Sequence, residues 1–209
     1  MSESREPDEY DQSYQEYVDG AQASLSQAAQ NSQGEEKIFF QQMNLFIEAT
    51  KKPIHDWNVA FSAVQSDEVF NFATMKSDAG YSRQIALLDE YRTETKNYQD
   101  MDFMGMMKQY LEPLGDSELV KKAMEGAQLK YKQQSTILKP LLATHIRYAD
   151  IMQQIITMLH ENPEEWSFRN DELSFSNDKL ERRYDAMITV LIQEEDKINT
   201  LSEKLIEGM

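Results

Sequence analysis

Apolar residues recur at steps of three and four along most of the chain. Phe39, Met43, Phe46, Thr50, Ile54, Trp57, Phe61 and Val64 form the first such series. That spacing marks one face of a helix. Pro53 falls inside the series and predicts a kink. Residues 65–80 hold Val69, Phe70 and Phe72 ahead of Gly80. They read as a connection with room for one helical turn, its aromatics closing one end of the core. A second helix is predicted from about Tyr81 to Leu111. Ile85, Leu88, Tyr91, Thr95 and Tyr98 share a face, which Phe103, Met106, Met107 and Tyr110 continue after a phase shift near Asp100 and Asp102. Pro113, Gly115 and Asp116 end it.

The third series has the clearest period. Val120, Met124, Ala127, Tyr131, Gln134, Leu138, Leu141, His145, Tyr148, Met152, Ile155 and Leu159 alternate steps of four and three without a break. This heptad seam predicts a helix of roughly 60 Å at 1.5 Å per residue. The seam keeps its phase across Pro140, so one kinked helix is expected, not two separate ones. A fourth helix opens after Ser176. Asp178 and Glu181 have capping-box spacing, with Asp178 in the cap role. Its seam is Leu180, Tyr184, Met187, Leu191, Ile198, Leu201 and Leu205, interrupted by Glu194. These elements predict an all-α fold, an elongated up-down four-helix bundle with a long kinked third helix.

One segment breaks the helical period. Between the third and fourth helices Trp166 and Phe168 alternate with polar residues, as do Leu173 and Phe175, around Asn170-Asp171. Period two about an Asn/Asp pair predicts a short β-hairpin. An isolated hairpin is marginal in water, so it should lie over the bundle end as a lid. Its other use would be as a partner-binding edge. The run Trp166, Ser167, Phe168, Asn170, Leu173 and Phe175, followed nine residues later by Tyr184 in a helix, resembles the end of a family of helical bacterial envelope lipoproteins of unknown function. The resemblance covers about residues 130–190. It implies an envelope location and no established activity. The chain departs from the family in showing neither a signal peptide nor the lipid-bearing cysteine. Were Met1 to stand in place of an anchored cysteine, the N-terminal segment would be the tether.

Charge changes the picture most at the N-terminus. Residues 1–36 hold nine acids (Glu3, Glu6, Asp8, Glu9, Asp11, Glu16, Asp19, Glu35, Glu36) and one base, Arg5. Half of the chain's formal −16 therefore lies in about a sixth of its length. Residues 21–34 are small and polar. Composition predicts a disordered acidic tail or tether over 1–35 and a helical bundle domain over 36–209. The alternative is a short helix, because Tyr10, Tyr14, Tyr17 and Val18 share a helical face. An acidic chain weighs against nucleic acid and anionic lipid, whose phosphates need a basic surface. Without an apolar run of 18 residues, no transmembrane segment is expected. With no cysteine, thiol chemistry and thiolate metal sites are excluded.

Candidate chemistry is sparse. The histidines are His55, His145 and His160. None has a Glu three residues before it, so the Glu-x-x-His pattern of di-iron bundles is missing. His145 sits on the seam and reads as a core histidine. No phosphate-loop, dinucleotide, zinc-protease or nucleophile-elbow motif occurs. The Glu194-Glu195-Asp196 run lies on a helix, where successive residues face apart. Met101, Met104, Met106 and Met107 cluster near Asp100, Asp102 and Gly105. They fit core filler or an adaptable apolar patch. The expected partner surface therefore comprises Met104, Met106, Met107, Trp166, Phe168 and Phe175. A non-enzymatic binding or scaffold protein without cofactor or metal is expected, located in the envelope if a signal peptide has been removed. The alternative is a cytosolic acidic adaptor, chaperone or immunity-type protein whose negative field captures a basic protein partner.

Overall fold

A computed structural model describes residues 7–66 and 68–207. The fold is all-α with one β-hairpin. The helices are α1 (Pro7–Asn31), α2 (Gly34–Val64), α3 (Phe72–Met75), α4 (Asp78–Gln99), α5 (Phe103–Leu111), α6 (Glu118–Glu161) and α7 (Asp178–Glu207). A 3-10 turn covers Glu112–Leu114. The hairpin strands are β1 (Trp166–Arg169) and β2 (Glu172–Phe175). Seven α-helices among the described residues replace the expected four. One is the short α3, one comes from division of the second predicted helix, and one lies where a disordered tail was expected.

In place of one bundle over 36–209, the described residues form two compact units. The first holds residues up to Asn58 together with Asp100–Gln133. The second holds Val59–Gln99 and Gln134–Met209. The divisions fall inside α2, between α4 and α5, and inside α6.

In the first unit, α1 lies antiparallel on α2. Gln22 Nε2 donates to Glu48 at 2.8 Å, and Lys51 pairs with Asp19 at 3.1 Å. Asn44 Nδ2 donates to Ser26 Oγ at 3.2 Å. Val18 and Ala29 are buried and Leu25 is half-buried on the same face. The expectation of disorder over 1–35 is thus corrected for Pro7–Asn31, while residues 1–6 lie outside the described residues. Gly34, at φ +60°, makes the turn between α1 and α2. One core cluster of the unit is Phe39, Met107 and Leu111, flanked by Met43, Phe46, Val120, Met124 and Ala127; Ile54 and Trp57 are buried as well.

The second predicted helix ends at Gln99 because Asp102 starts a new one. Its carboxylate accepts from the Gly105 N–H at 2.9 Å. An Asp at this position supplies an acceptor for N–H groups that have no helical partner. A Cβ at Gly105 would sit 2.1 Å from Asp102 Oδ2, so a larger residue there would displace the capping carboxylate.

In the second unit the seams are packed as expected. On α6, Leu141, Leu142, His145, Ala149, Met152, Ile155, Ile156, Met158 and Leu159 are buried. Gln84, Leu88, Tyr91 and Thr95 are buried on α4. Leu141, Ile198 and Leu205 form a cluster with Ile137, Leu138, Tyr148 and Leu201. α6 runs through Pro140 without interruption. Thr144 Oγ1 donates to the Pro140 carbonyl at 2.8 Å.

Candidate functional site

The hairpin end of the second unit holds the three aromatic residues of the expected partner surface, Trp166, Phe168 and Phe175, together with Phe72 and Tyr184. Asn170 and Asp171 take φ of +53° and +61°. These are the left-handed values that a two-residue turn demands and that Asn and Asp tolerate. The register pairs Trp166 with Phe175 and Phe168 with Leu173. Residues directly opposite share a face, so the four apolar side chains lie together. Ser167 and Ser174 pair on the other face, their hydroxyls 2.9 Å apart.

Trp166 is not surface. It is 3% exposed, and its indole N–H donates to the Leu159 carbonyl at 2.7 Å. The Lys76 ammonium lies 4.5 Å from the indole centroid. It also donates to the Pro163 and Trp166 carbonyls. Lys76 thus satisfies backbone left free after α6 while its charge faces an aromatic ring, a favourable arrangement. Phe168 is half-buried with its ring 5.1 Å from Phe72. Phe175 is half-buried against Tyr184 at 5.2 Å. The binding-edge use of Trp166 is therefore corrected.

His160 belongs to the same end. Its ring stacks on Tyr81 at 4.1 Å, Nδ1 lies 3.0 Å from the Met75 carbonyl, and Nε2 lies 3.4 Å from Asp78. The cap of α7 is Asn177, not Asp178. Asn177 Oδ1 accepts from the Lys179 N–H at 2.9 Å and the Leu180 N–H at 3.4 Å. Asn177 Nδ2 donates to Glu165 at 2.7 Å, which ties the cap to the chain before β1.

The methionine cluster lies in the first unit. Met107 is buried beside Phe39 and Leu111, which corrects its reading as an exposed residue. Met104 and Met106 are half-buried.

Two buried polar arrangements carry electrostatic consequences. Tyr91 and His145 share a hydrogen bond through the Tyr91 hydroxyl and His145 Nδ1. Phe61 stacks on Tyr91 at 5.6 Å and meets His145 edge-on at 5.0 Å. Burial pushes the His145 imidazole down to about 3 and the Tyr91 phenol well above its ordinary value. Both groups are neutral at pH 7. A neutral histidine held by a neutral tyrosine neither moves nor stores a proton near that pH.

The second arrangement is Glu194, on the α7 seam. Burial raises its carboxyl, but bonds from Lys197 at 2.6 Å and Arg147 at 3.1 Å outweigh burial and hold it below the usual range. The same helix pair pushes the Tyr148 phenol up to about 12, through burial and then the charge of Glu195. Lys197 pairs with Glu194 within α7, and Arg147 ties the carboxylate to α6. Among the described residues, no group of three or more His, Asp or Glu side chains is placed to hold a metal ion. No described helix is long and apolar enough to cross a membrane.

What the seam analysis missed are apolar side chains outside the seams. In the first unit Ile38 is 43% exposed and Leu45 52% exposed, seven residues apart on one face of α2. The signal was present: Ile38 precedes Phe39 and Leu45 precedes Phe46, so neither belongs to the buried face. Comparison of the chain with protein-family models, with curated proteins and with solved structures gave no match.

Proposed function

We propose that this is a non-enzymatic binding or scaffold protein, the soluble part of a bacterial envelope lipoprotein. The observation that carries the binding reading is the Ile38–Leu45 face of α2. Two large apolar side chains two turns apart on α2 are about half exposed. Such a face is used when a partner helix covers it. The polar clusters described above all have a structural use: Lys76 holds the hairpin, Asn177 caps α7, and Glu194 ties α7 to α6.

The envelope reading is supported by the motif Trp166, Ser167, Phe168, Asn170, Leu173, Phe175 and Tyr184. Its test is direct. Mass spectrometry of the protein purified from its native cells should find it in the membrane fraction, with a lipidated cysteine upstream of this sequence. An unmodified protein confined to the cytosol removes the envelope reading.

The acidic balance supports a second reading, a cytosolic adaptor or immunity-type protein for a basic partner. A net charge of −16 would steer such an encounter and make it salt-sensitive. Covalent capture in native cells with wild type and with Ile38→Glu/Leu45→Glu tests binding itself. A partner lost in the variant at unchanged melting temperature supports the proposal. The same set of captured proteins in both counts against it.

A further inference from the structure

In the first unit α6 carries a lysine-rich, partly apolar stretch in a strongly acidic chain, with exposed Glu125 on the same face between Lys122 and Leu129. Residues 119–133 of α6 hold Lys121, Lys122, Lys130 and Lys132 against one acid, Glu125. Leu129 lies two residues from both Ala127 and Tyr131, which places it opposite the inward seam. It is 61% exposed, the highest value among the large apolar side chains described. Lys122 lies one heptad before it, and Lys130 lies beside it. Both are exposed, and among the described residues neither makes an ion pair. Lys121 is occupied by Glu118 at 3.1 Å.

The complementary surface is in the same sequence. Residues 3–19 contain Glu3, Glu6, Asp8, Glu9, Asp11, Glu16 and Asp19, with Arg5 as their one base. Tyr10 and Tyr14, four apart, give this acidic stretch an apolar component. We infer that a second copy of the chain docks its acidic segment, residues 3–15, on the Lys122–Leu129–Lys130 face of α6. Leu129 receives an aromatic ring, and the lysines meet carboxylates. The contact is independent of any foreign partner.

Exposed ion pairs are individually weak and are screened by salt. The association should therefore be modest in strength and steeply salt-dependent. Sedimentation velocity of the full chain tests it at about 0.1 M and about 1 M NaCl, where the Debye length is about 10 Å and about 3 Å. Wild type should self-associate in the first and be largely monomeric in the second. Lys122→Glu/Lys130→Glu should weaken self-association at low salt by about tenfold or more. Asp8→Lys/Glu9→Lys/Asp11→Lys should do the same from the other side. Each variant alone presents like charges to itself. Mixed together, they present opposite charges again and should associate. All the changed positions are in solvated or acidic segments, and far-UV circular dichroism checks that helix content is kept. A wild type that stays monomeric at low salt and about 0.1 mM protein overturns the inference. So does association that survives both variants, or a mixture that does not recover it.

Discussion

Of the twelve largest fully buried side chains among the described residues, eleven belong to the unit made of residues 59–99 and 134–209, and one, Leu111, belongs to the other. Both units are helical, and both carry seams of period three and four. They differ in what covers those seams. In the second unit α4, α7, α3 and the hairpin all present large side chains, and α6 buries Leu141, Leu142, Ile155, Ile156, Met158 and Leu159. In the first unit the same helix presents Val120, Met124 and Ala127, which are half-buried. The α1–α2 contact combines the small apolar residues Val18, Leu25 and Ala29 with polar pairs such as Gln22–Glu48 and Lys51–Asp19. Periodicity tells which face turns inward; the neighbours decide how deeply it is buried and how much stability follows.

The largest test of this difference is a pair of truncations. Leu159→Ala should cost about 3–5 kcal/mol, because the site is closed on all sides and cannot collapse. Met43→Ala, at a half-buried seam position of the first unit, should cost about 1–2 kcal/mol. Urea melts of the two variants measure both. Equal costs would mean that the units are equally well packed.

A pH-dependent effect belongs to the second unit. Burial holds His145 near 3 in the folded chain, while the unfolded chain takes up its proton near pH 6.5. Stability is therefore complete above about pH 6.5 and falls as pH drops from there toward 3, by up to about 1.4 kcal/mol per pH unit. His145→Gln should flatten the slope between about pH 6.5 and 5. Glu194 acts in the same direction at lower pH. Its carboxyl is held below the ordinary range, so its contribution is present above about pH 4.5 and is lost as pH falls through the folded value. A variant that keeps the wild-type slope would show that His145 is not the group responsible.

The smallest effect concerns the first unit. Asp102→Ala removes the acceptor for the Gly105 N–H and should cost about 0.5–2 kcal/mol. Gly105→Ala should approach the same cost, because its Cβ would strike that carboxylate. Thermal melts of the pair distinguish a used cap from an incidental contact: a cap predicts that the double variant costs no more than the larger single.

Much of this architecture was legible in the sequence. The α6 and α7 seams kept strict steps of three and four, and Asn170-Asp171 supplied the turn for a hairpin whose register followed. The cap of α5 was visible as Asp102 and Gly105 but read as an irregularity, because a cap differs from a phase shift only by one side-chain bond. α1 was not legible from composition. Val18, Leu25 and Ala29 form an inward face too small to stand out from residues 21–34, and its partners Glu48 and Lys51 lie far along the chain. The candidate surface fared similarly. Met107 and Trp166 were chosen as large apolar residues in irregular segments, and both proved buried because Phe39 and Lys76, distant in sequence, close over them. Ile38 and Leu45 were overlooked because each adjoins a seam phenylalanine.

Helix α6 offers the most direct test, since it runs unbroken from Glu118 to Glu161 through both units. Native-state hydrogen exchange read residue by residue reports the local free energy of opening along it. Amides of residues 141–159 should exchange only through the deepest opening of the protein. Those of residues 120–133 should exchange much faster, by about a hundredfold or more, although they make the same helical hydrogen bonds. Equal protection along the whole helix would contradict the account, because packing would then not be what divides the molecule.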